Sequence, residues 1–102
     1  MIHVIATIEV KSARQDEFLG IFKANIPAVQ AEPGCIRYDP TVDLASGLPP
    51  QIPLRQNAVT IVETWESLEA LRTHLAAAHM AAYKAATKDM VEKVTLQVLQ
   101  PV

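Results

Sequence analysis

Several features that mark specialised classes of protein are absent or scarce in this 102-residue sequence. A single cysteine, Cys35, excludes an internal disulfide and a cluster of metal-binding thiolates, which is typical of a reducing compartment. No run approaches the roughly 20 consecutive apolar residues of a membrane-spanning helix, and no basic segment followed by an apolar block opens the sequence. We therefore expect a cytoplasmic protein that does not contact the membrane.

Positive charge is also scarce. Nine lysines and arginines stand against 11 aspartates and glutamates, and the formal net charge is -2. Without a dense run of basic residues, nucleic acid is not an expected partner. Apolar residues, in contrast, make up 50% of the chain, which is the composition of a folded globular protein. The length predicts a single domain over residues 1–102.

The hydrophobic pattern divides this domain into strands and helices. Alternating β-branched residues predict strands, whereas apolar residues at helical spacing predict two helical regions. A capping box at Ser12–Gln15 is expected to open the first region, and a Ser67 cap the second. The predicted strands cover residues 2–10, 35–41, 58–65 and 94–99, and the second helical region continues over residues 80–93. This order, β-α-β-β-α-β, predicts an α+β, ferredoxin-like fold with an antiparallel sheet.

Residues 43–57 break the pattern. They contain three prolines and one glycine without a hydrophobic period, and they are too many for a tight hairpin. We interpret this proline-rich loop as an insertion between two neighbouring strands that is able to act as a lid.

The strands carry apolar residues on both faces. Ile5, Val62 and Leu99 lie on the face that two helices packed on the other side would leave bare. A second copy of the sheet is the simplest cover, so we expect a homodimer.

Most candidate chemistry falls between residues 63 and 83. His74 borders the apolar side of the helix that follows Trp65, and its ordinary pKa, about 6.5, suits a general base at physiological pH. His79 and Tyr83 follow closely. The two histidines would point about 140° apart on a continuous helix, and no third ligand is near, so a metal site is not expected.

The chain resembles the antibiotic biosynthesis monooxygenase (ABM) family. The resemblance rests on the opening strand IHVIATIEV, the junction EPGCIRY over residues 32–38, and ETWESLEALRTHLAAAHMAAY over residues 63–83. It implies a dimeric α/β barrel and an oxygenase without a cofactor, which acts with O2 on a quinol-like or polyphenolic small molecule.

In such an enzyme His74 would be the base that removes a phenolic proton. Trp65 and Tyr38 would wall an aromatic substrate, and Asn25, an amide within the apolar stripe of the first helix, would steady an oxyanion. His79 and Tyr83 complete the predicted set of substrate-binding residues. Ordinary packing, backbone hydrogen bonding or helix capping is the alternative for each of them.

Two other functions stay open on the same scaffold. An isomerase of a small phosphorylated keto compound would use His74 as a proton shuttle and would need a cationic anchor from Arg37, Arg55 or Arg72. A non-catalytic stress-response dimer would instead hold a ligand without turning it over.

Overall fold

A computed structural model describes residues 1–102 and confirms the ferredoxin-like arrangement. Four strands and three helices follow in the order β1 (Ile2–Val10), α1 (Gln15–Gln30), β2 (Cys35–Thr41), β3 (Ala58–Trp65), α2 (Leu68–Leu75), α3 (Ala78–Thr87) and β4 (Val91–Leu99). The helical region after β3 is thus two helices, with a break at residues 76–77. No helix combines the length and apolarity needed to cross a bilayer.

The four strands form one antiparallel sheet in the order β2-β3-β1-β4. The central strand β1 pairs with both β3 and β4, so that Ile5 lies opposite Val62 on one side and Gln97 on the other. The sheet is open, with β2 and β4 at its edges. One chain therefore does not close a barrel by itself.

The core lies between the sheet and the helices. Alternate residues of a strand point to the same face, which is why Val4, Ala6 and Ile8 of β1 are all buried there. Phe18 and Phe22 of α1 pack on this face, with ring centroids 6.0 Å apart. Fully burying side chains of this kind stabilises the fold by about 1.5–3 kcal/mol each.

The start of α1 differs from the prediction, whereas the start of α2 agrees with it. Helix α1 begins at Gln15 after Arg14, and no side chain caps its free backbone N–H groups, so the capping box at Ser12–Gln15 is wrong. The turn passes through Ala13 at a positive φ of 67°, which directs the chain away from the capping geometry. At α2, the Ser67 hydroxyl accepts a hydrogen bond from the Ala70 backbone N–H at 3.1 Å, as predicted.

The last strand begins three residues earlier than predicted, at Val91 instead of Val94. Helix α3 ends at Thr87, and the backbone N–H of Met90 closes a turn onto the Thr87 carbonyl at 2.9 Å. The predicted helix over residues 88–93 is therefore wrong. The pairing of β4 with β1 explains the difference, because tertiary hydrogen bonding outweighs local helix propensity at these positions.

Residues 43–57 contain no helix or strand. The two ends of this segment are joined by an ion pair in which the Arg55 guanidinium contacts the Asp43 carboxylate at 2.9 and 3.0 Å. The guanidinium holds the pKa of Asp43 at about 2, below its usual range. The role of this loop as a lid stays a prediction.

Candidate active site

A cavity of about 570 Å³ lies between the helix-facing side of the sheet and the helices. Its walls are mostly apolar, and they come from all four strands and all three helices. The polar groups among them are few: the side chains of Glu63, His74, Tyr38 and Tyr83, with Lys84 and Lys88. An apolar cavity with a few polar groups is the usual form of a small-molecule site.

Another depression, of about 520 Å³, lies around Glu9, Arg55 and Glu92. Its arginine is already engaged by Asp43, and its residues include no buried acid or base. We therefore assign the candidate site to the apolar cavity.

His74, on α2, is the buried base of this cavity. Its side chain is only 2% exposed, and its Nδ1 lies 2.7 Å from Oε2 of Glu32, in the turn between α1 and β2. A carboxylate only accepts hydrogen bonds, so Nδ1 carries the proton and donates it, and Nε2 keeps a free lone pair. Burial lowers the pKa of His74 below its ordinary 6.5, against the opposing effect of Glu32. The ring is therefore neutral at neutral pH and able to accept a proton.

Glu32 also reaches the second histidine. Its Oε1 lies 3.4 Å from Nε2 of His79, and the Asn25 amide donates to Nδ1 of His79 at 3.2 Å. Since Nδ1 accepts this bond, the proton of His79 belongs on Nε2, facing the carboxylate. The sequence argument for diverging histidines assumed a continuous helix and is wrong here. The break at residues 76–77 lets both rings approach one carboxylate, with ring centroids 6.4 Å apart.

Glu63 is a second buried acid–base group. It lies on the helix-facing side of β3, is 5% exposed, and accepts a hydrogen bond on Oε1 from the indole N–H of Trp65 at 2.9 Å. No lysine, arginine or histidine forms an ion pair with it. Burial raises the pKa of Glu63 to about 7, although the Trp65 hydrogen bond opposes the rise. A large fraction of Glu63 is therefore protonated at neutral pH.

Aromatic rings surround these two groups. Tyr38 stacks on Phe22 at 5.5 Å between centroids and meets the His74 ring edge-on at 5.4 Å. Tyr83 meets Phe22 edge-on at 5.7 Å. Burial raises the pKa of Tyr38 well above 10 and that of Tyr83 to about 12, so both tyrosines keep their hydroxyl protons. They are available as hydrogen-bond donors.

The residues selected from the sequence fall into two groups. Tyr38, His74 and Tyr83 line the cavity together. Trp65 is fully buried and lies behind the wall, with its ring 4.7 Å from that of His74. Asn25 and His79 also lie outside the lining; Asn25 donates to His79, and His79 approaches the same Glu32 carboxylate as His74.

Sequence reasoning missed both glutamates. Glu63 had a recognisable signal, because strand alternation places it between Ile61 and Trp65 on the buried face. Glu32 had none, since it and His74 are 42 positions apart and meet only in the folded chain.

The arginines proposed as anchors do not line the cavity. Arg37 and Arg55 pair with aspartates, and Arg72 is exposed on α2. The cations that do line it are Lys84 on α3 and Lys88, which directly follows the end of α3. No group of three or more His, Cys, Asp or Glu side chains is arranged to hold a metal ion.

Comparisons with known proteins agree with this architecture. The family model "Antibiotic biosynthesis monooxygenase" matches residues 1–86. The chain is 35% identical over 103 aligned positions to "Probable quinol monooxygenase YgiN" of Escherichia coli K12, covering 99% of this chain and 98% of that protein.

Solved structures show the same fold at lower identity. A conserved Methanosarcina mazei protein superimposes with a TM-score of 0.83 at 20% identity, covering 99% of this chain and 92% of the other. Rv0793 of Mycobacterium tuberculosis gives 0.79 at 24%, with 99% and 94% covered.

Proposed function

This chain belongs to the antibiotic biosynthesis monooxygenase family, and from that premise we propose that it is a cofactor-independent monooxygenase for a quinol-like or polyphenolic small molecule. The name of the Escherichia coli relative supports a quinol as the substrate class. The mostly apolar, aromatic-walled cavity suits a flat phenolic ring.

The observation that carries the proposal is the hydrogen bond from His74 to Glu32. It directs the free Nε2 lone pair away from Glu32, and the ring borders the cavity. Molecular oxygen reacts slowly with closed-shell organic molecules, so an enzyme without a redox cofactor needs a substrate made electron-rich by deprotonation. A neutral, oriented histidine next to an apolar cavity supplies the required base, which typically accelerates proton transfer 10²–10⁴-fold.

The reaction balances without any further reductant. A quinol and one O2 yield a hydroxyquinone and one water, so that one oxygen atom enters the ring and the other leaves as water. The reaction begins when His74 removes a phenolic proton. The resulting phenolate donates electron density to O2 at the neighbouring ring carbon.

Neither alternative has comparable support. The isomerase of a small phosphorylated keto compound was expected to anchor its substrate on Arg37, Arg55 or Arg72, and none of these arginines lines the cavity. Lys84 and Lys88 do line it, but both are exposed to solvent. A ligand-holding protein has no need for an oriented, neutral base, so the His74–Glu32 pair favours catalysis.

We also propose a homodimer that completes the barrel. The face turned away from the helices carries Ile5, Val62 and Leu99, and Leu99 is 44% exposed. Val94, Leu96 and Val98 of β4 are also exposed, but they pair with Ile8, Ala6 and Val4 and therefore lie on the helix-facing side of the sheet. A second copy packed on the bare face would cover its apolar residues, as in the dimeric barrel that the family resemblance implies. A cytoplasmic location stays a prediction.

The proposal is tested with purified, metal-free protein, a panel of quinols and polyphenols, and ¹⁸O-labelled O2. We expect substrate-dependent oxygen uptake and a quinone product that carries one labelled oxygen atom. Uptake that yields only hydrogen peroxide and an unlabelled quinone would contradict monooxygenation. Uptake no faster than in protein-free buffer with every compound would contradict the oxygenase altogether.

A further inference from the structure

We infer that Glu63 is a second catalytic residue, the acid that gives a proton to the oxygen atom that leaves as water. The inference rests on the proposed function, and it adds a proton donor to the base already described.

The position of Glu63 fits this role. Its carboxyl group lies on a central strand, nearly inaccessible to bulk water, and it borders the same cavity as His74. Oε1 is held by the Trp65 indole N–H at 2.9 Å, whereas Oε2 makes no hydrogen bond within the protein. Both groups also contact Trp65, since the His74 ring lies 4.7 Å from the indole. The rigid indole of Trp65 therefore contacts both the acid, Glu63, and the base, His74.

The surroundings favour the protonated form of this carboxyl group. The other titratable side chains around the cavity are His74 from α2, Tyr38 from β2, Tyr83 and Lys84 from α3, and Lys88 just after α3. Strand β1 contributes only apolar Ala6 and Ile8. The histidine and tyrosines are neutral, and the exposed lysines form no ion pair with Glu63. An unpaired carboxylate in such surroundings is costly, and the pKa of about 7 reflects this cost.

The chemistry of the reaction requires such a donor. After His74 takes the phenolic proton, a C–O bond forms between the ring carbon and O2, and the peroxide anion recovers that proton from His74. The O–O bond then breaks. The ring C–H proton is lost, its electron pair forms the new C=O bond, and the departing hydroxide takes the proton of Glu63 to become water.

A single histidine is poorly suited to both the first and the last proton transfer of this reaction. Its Nδ1 is held by Glu32, so only Nε2 exchanges protons with the substrate. A separate acid lets hydroxide leave while His74 or solvent receives the C–H proton. The carboxylate of Glu63 is then reprotonated from solvent before the next turnover.

The test compares Glu63→Gln with wild type in quinol-dependent oxygen uptake. The glutamine retains an oxygen that can accept the Trp65 N–H but has no acidic proton. We expect kcat to fall at least 100-fold, in the range typical of a lost general acid, while the Kd for the quinone product changes less than about two-fold. The matched control is Glu69→Gln, which removes an exposed carboxylate on α2 and should keep wild-type kcat.

The pH profile separates catalysis from a merely structural role. Wild-type kcat should decline above about pH 7 as Glu63 ionises, and the residual activity of Glu63→Gln should lack this decline. Glu63→Asp, which keeps an acidic proton, should retain the decline and more activity than the glutamine variant. If Glu63→Gln does not fold, the wild-type and aspartate profiles still decide the matter.

The outcomes are distinguishable. An active wild type with an equally active Glu63→Gln variant would overturn the role of Glu63 alone. Parallel losses of kcat and product affinity with an unchanged pH profile would also overturn it. A wild type that consumes no oxygen with any quinol would overturn the proposed function and this inference together.

Discussion

His74 Nδ1 lies 2.7 Å from Glu32 Oε2, and this pair connects a helix that follows β3 to a turn that precedes β2. The contact selects the tautomer of the imidazole and holds the ring in place. The same carboxylate lies 3.4 Å from His79 Nε2 without forming a hydrogen bond to it, so one acidic side chain lies beside both histidines.

Replacement of the base should abolish most activity. In His74→Gln, oxygen uptake with the best quinol should fall 10²–10⁴-fold, because no other neutral base with a comparable position borders the cavity. His79→Gln is the matched control, since His79 lies outside the lining and should lose much less. Equal losses in the two variants, measured as kcat on folded protein, would argue against His74 as the base.

Loss of Glu32 should lower the pKa of His74 further. The carboxylate raises this pKa against the effect of burial, so Glu32→Gln removes the opposing contribution. The acidic limb of the kcat profile, where His74 becomes protonated, should therefore move to lower pH. We also expect roughly 10-fold lower kcat at neutral pH, because the tautomer is no longer selected. NMR titration of the His74 ring measures this shift in pKa. A higher pKa in the variant would contradict the role of Glu32 as the carboxylate that accepts the His74 hydrogen bond.

The stability of the protein should depend on pH through Glu63. The folded-state pKa is raised from 4.5 to about 7, so the folded state binds the proton more tightly than the unfolded state. Stability from this group is present below about pH 4.5 and is lost as the pH rises through about 7. Glu63→Gln escapes this loss and should exceed wild type by up to roughly 3 kcal/mol at about pH 8. Urea unfolding of the two proteins at about pH 8 and again below about pH 4.5 measures the difference in stability. At the lower pH this difference should nearly vanish.

Trp65 should affect the acidity of Glu63. Its indole N–H stabilises the carboxylate form, so Trp65→Phe removes a contribution that lowers the pKa. The pKa of Glu63 should rise, with a loss of about 1–3 kcal/mol of folding stability because a buried acceptor loses its partner. Carbon-detected NMR of the Glu63 carboxyl group follows its ionisation. An unchanged titration in a folded variant would show that this hydrogen bond has no influence on the acid.

A charge on the bare face of the sheet should disrupt the proposed dimer. Leu99 is 44% exposed on β4, paired with His3 of β1. In Leu99→Glu, the carboxylate would be buried against the second copy without a partner, which favours the monomer. Sedimentation velocity should show a dimer for wild type and a smaller species for this variant. Glu69→Lys, at an exposed position of α2, is the control. A monomeric wild type would contradict the dimer.

The sequence by itself determined the fold class and most of the strands. Period-2 alternation gave the bounds of β1, β2 and β3 as the structure has them, because burial on one face imposes that pattern directly on neighbouring residues. The helical pattern and the family resemblance, together with the β2 pattern, also indicated His74, Tyr83 and Tyr38 as candidates, and these three share one cavity. The end of α3 and the start of β4 were misjudged, since cross-strand pairing with β1 decides them.

Only the tertiary structure decided how the site is assembled. Glu32 and His74 meet because α2 packs beside the turn after α1, a contact that leaves no periodic trace in the sequence. The protonation of Glu63 likewise depends on surroundings contributed by several distant elements, because desolvation reflects everything packed around a group. Local patterns record which face of an element is buried, whereas the chemistry of this cavity arises from groups that only the packed fold brings together.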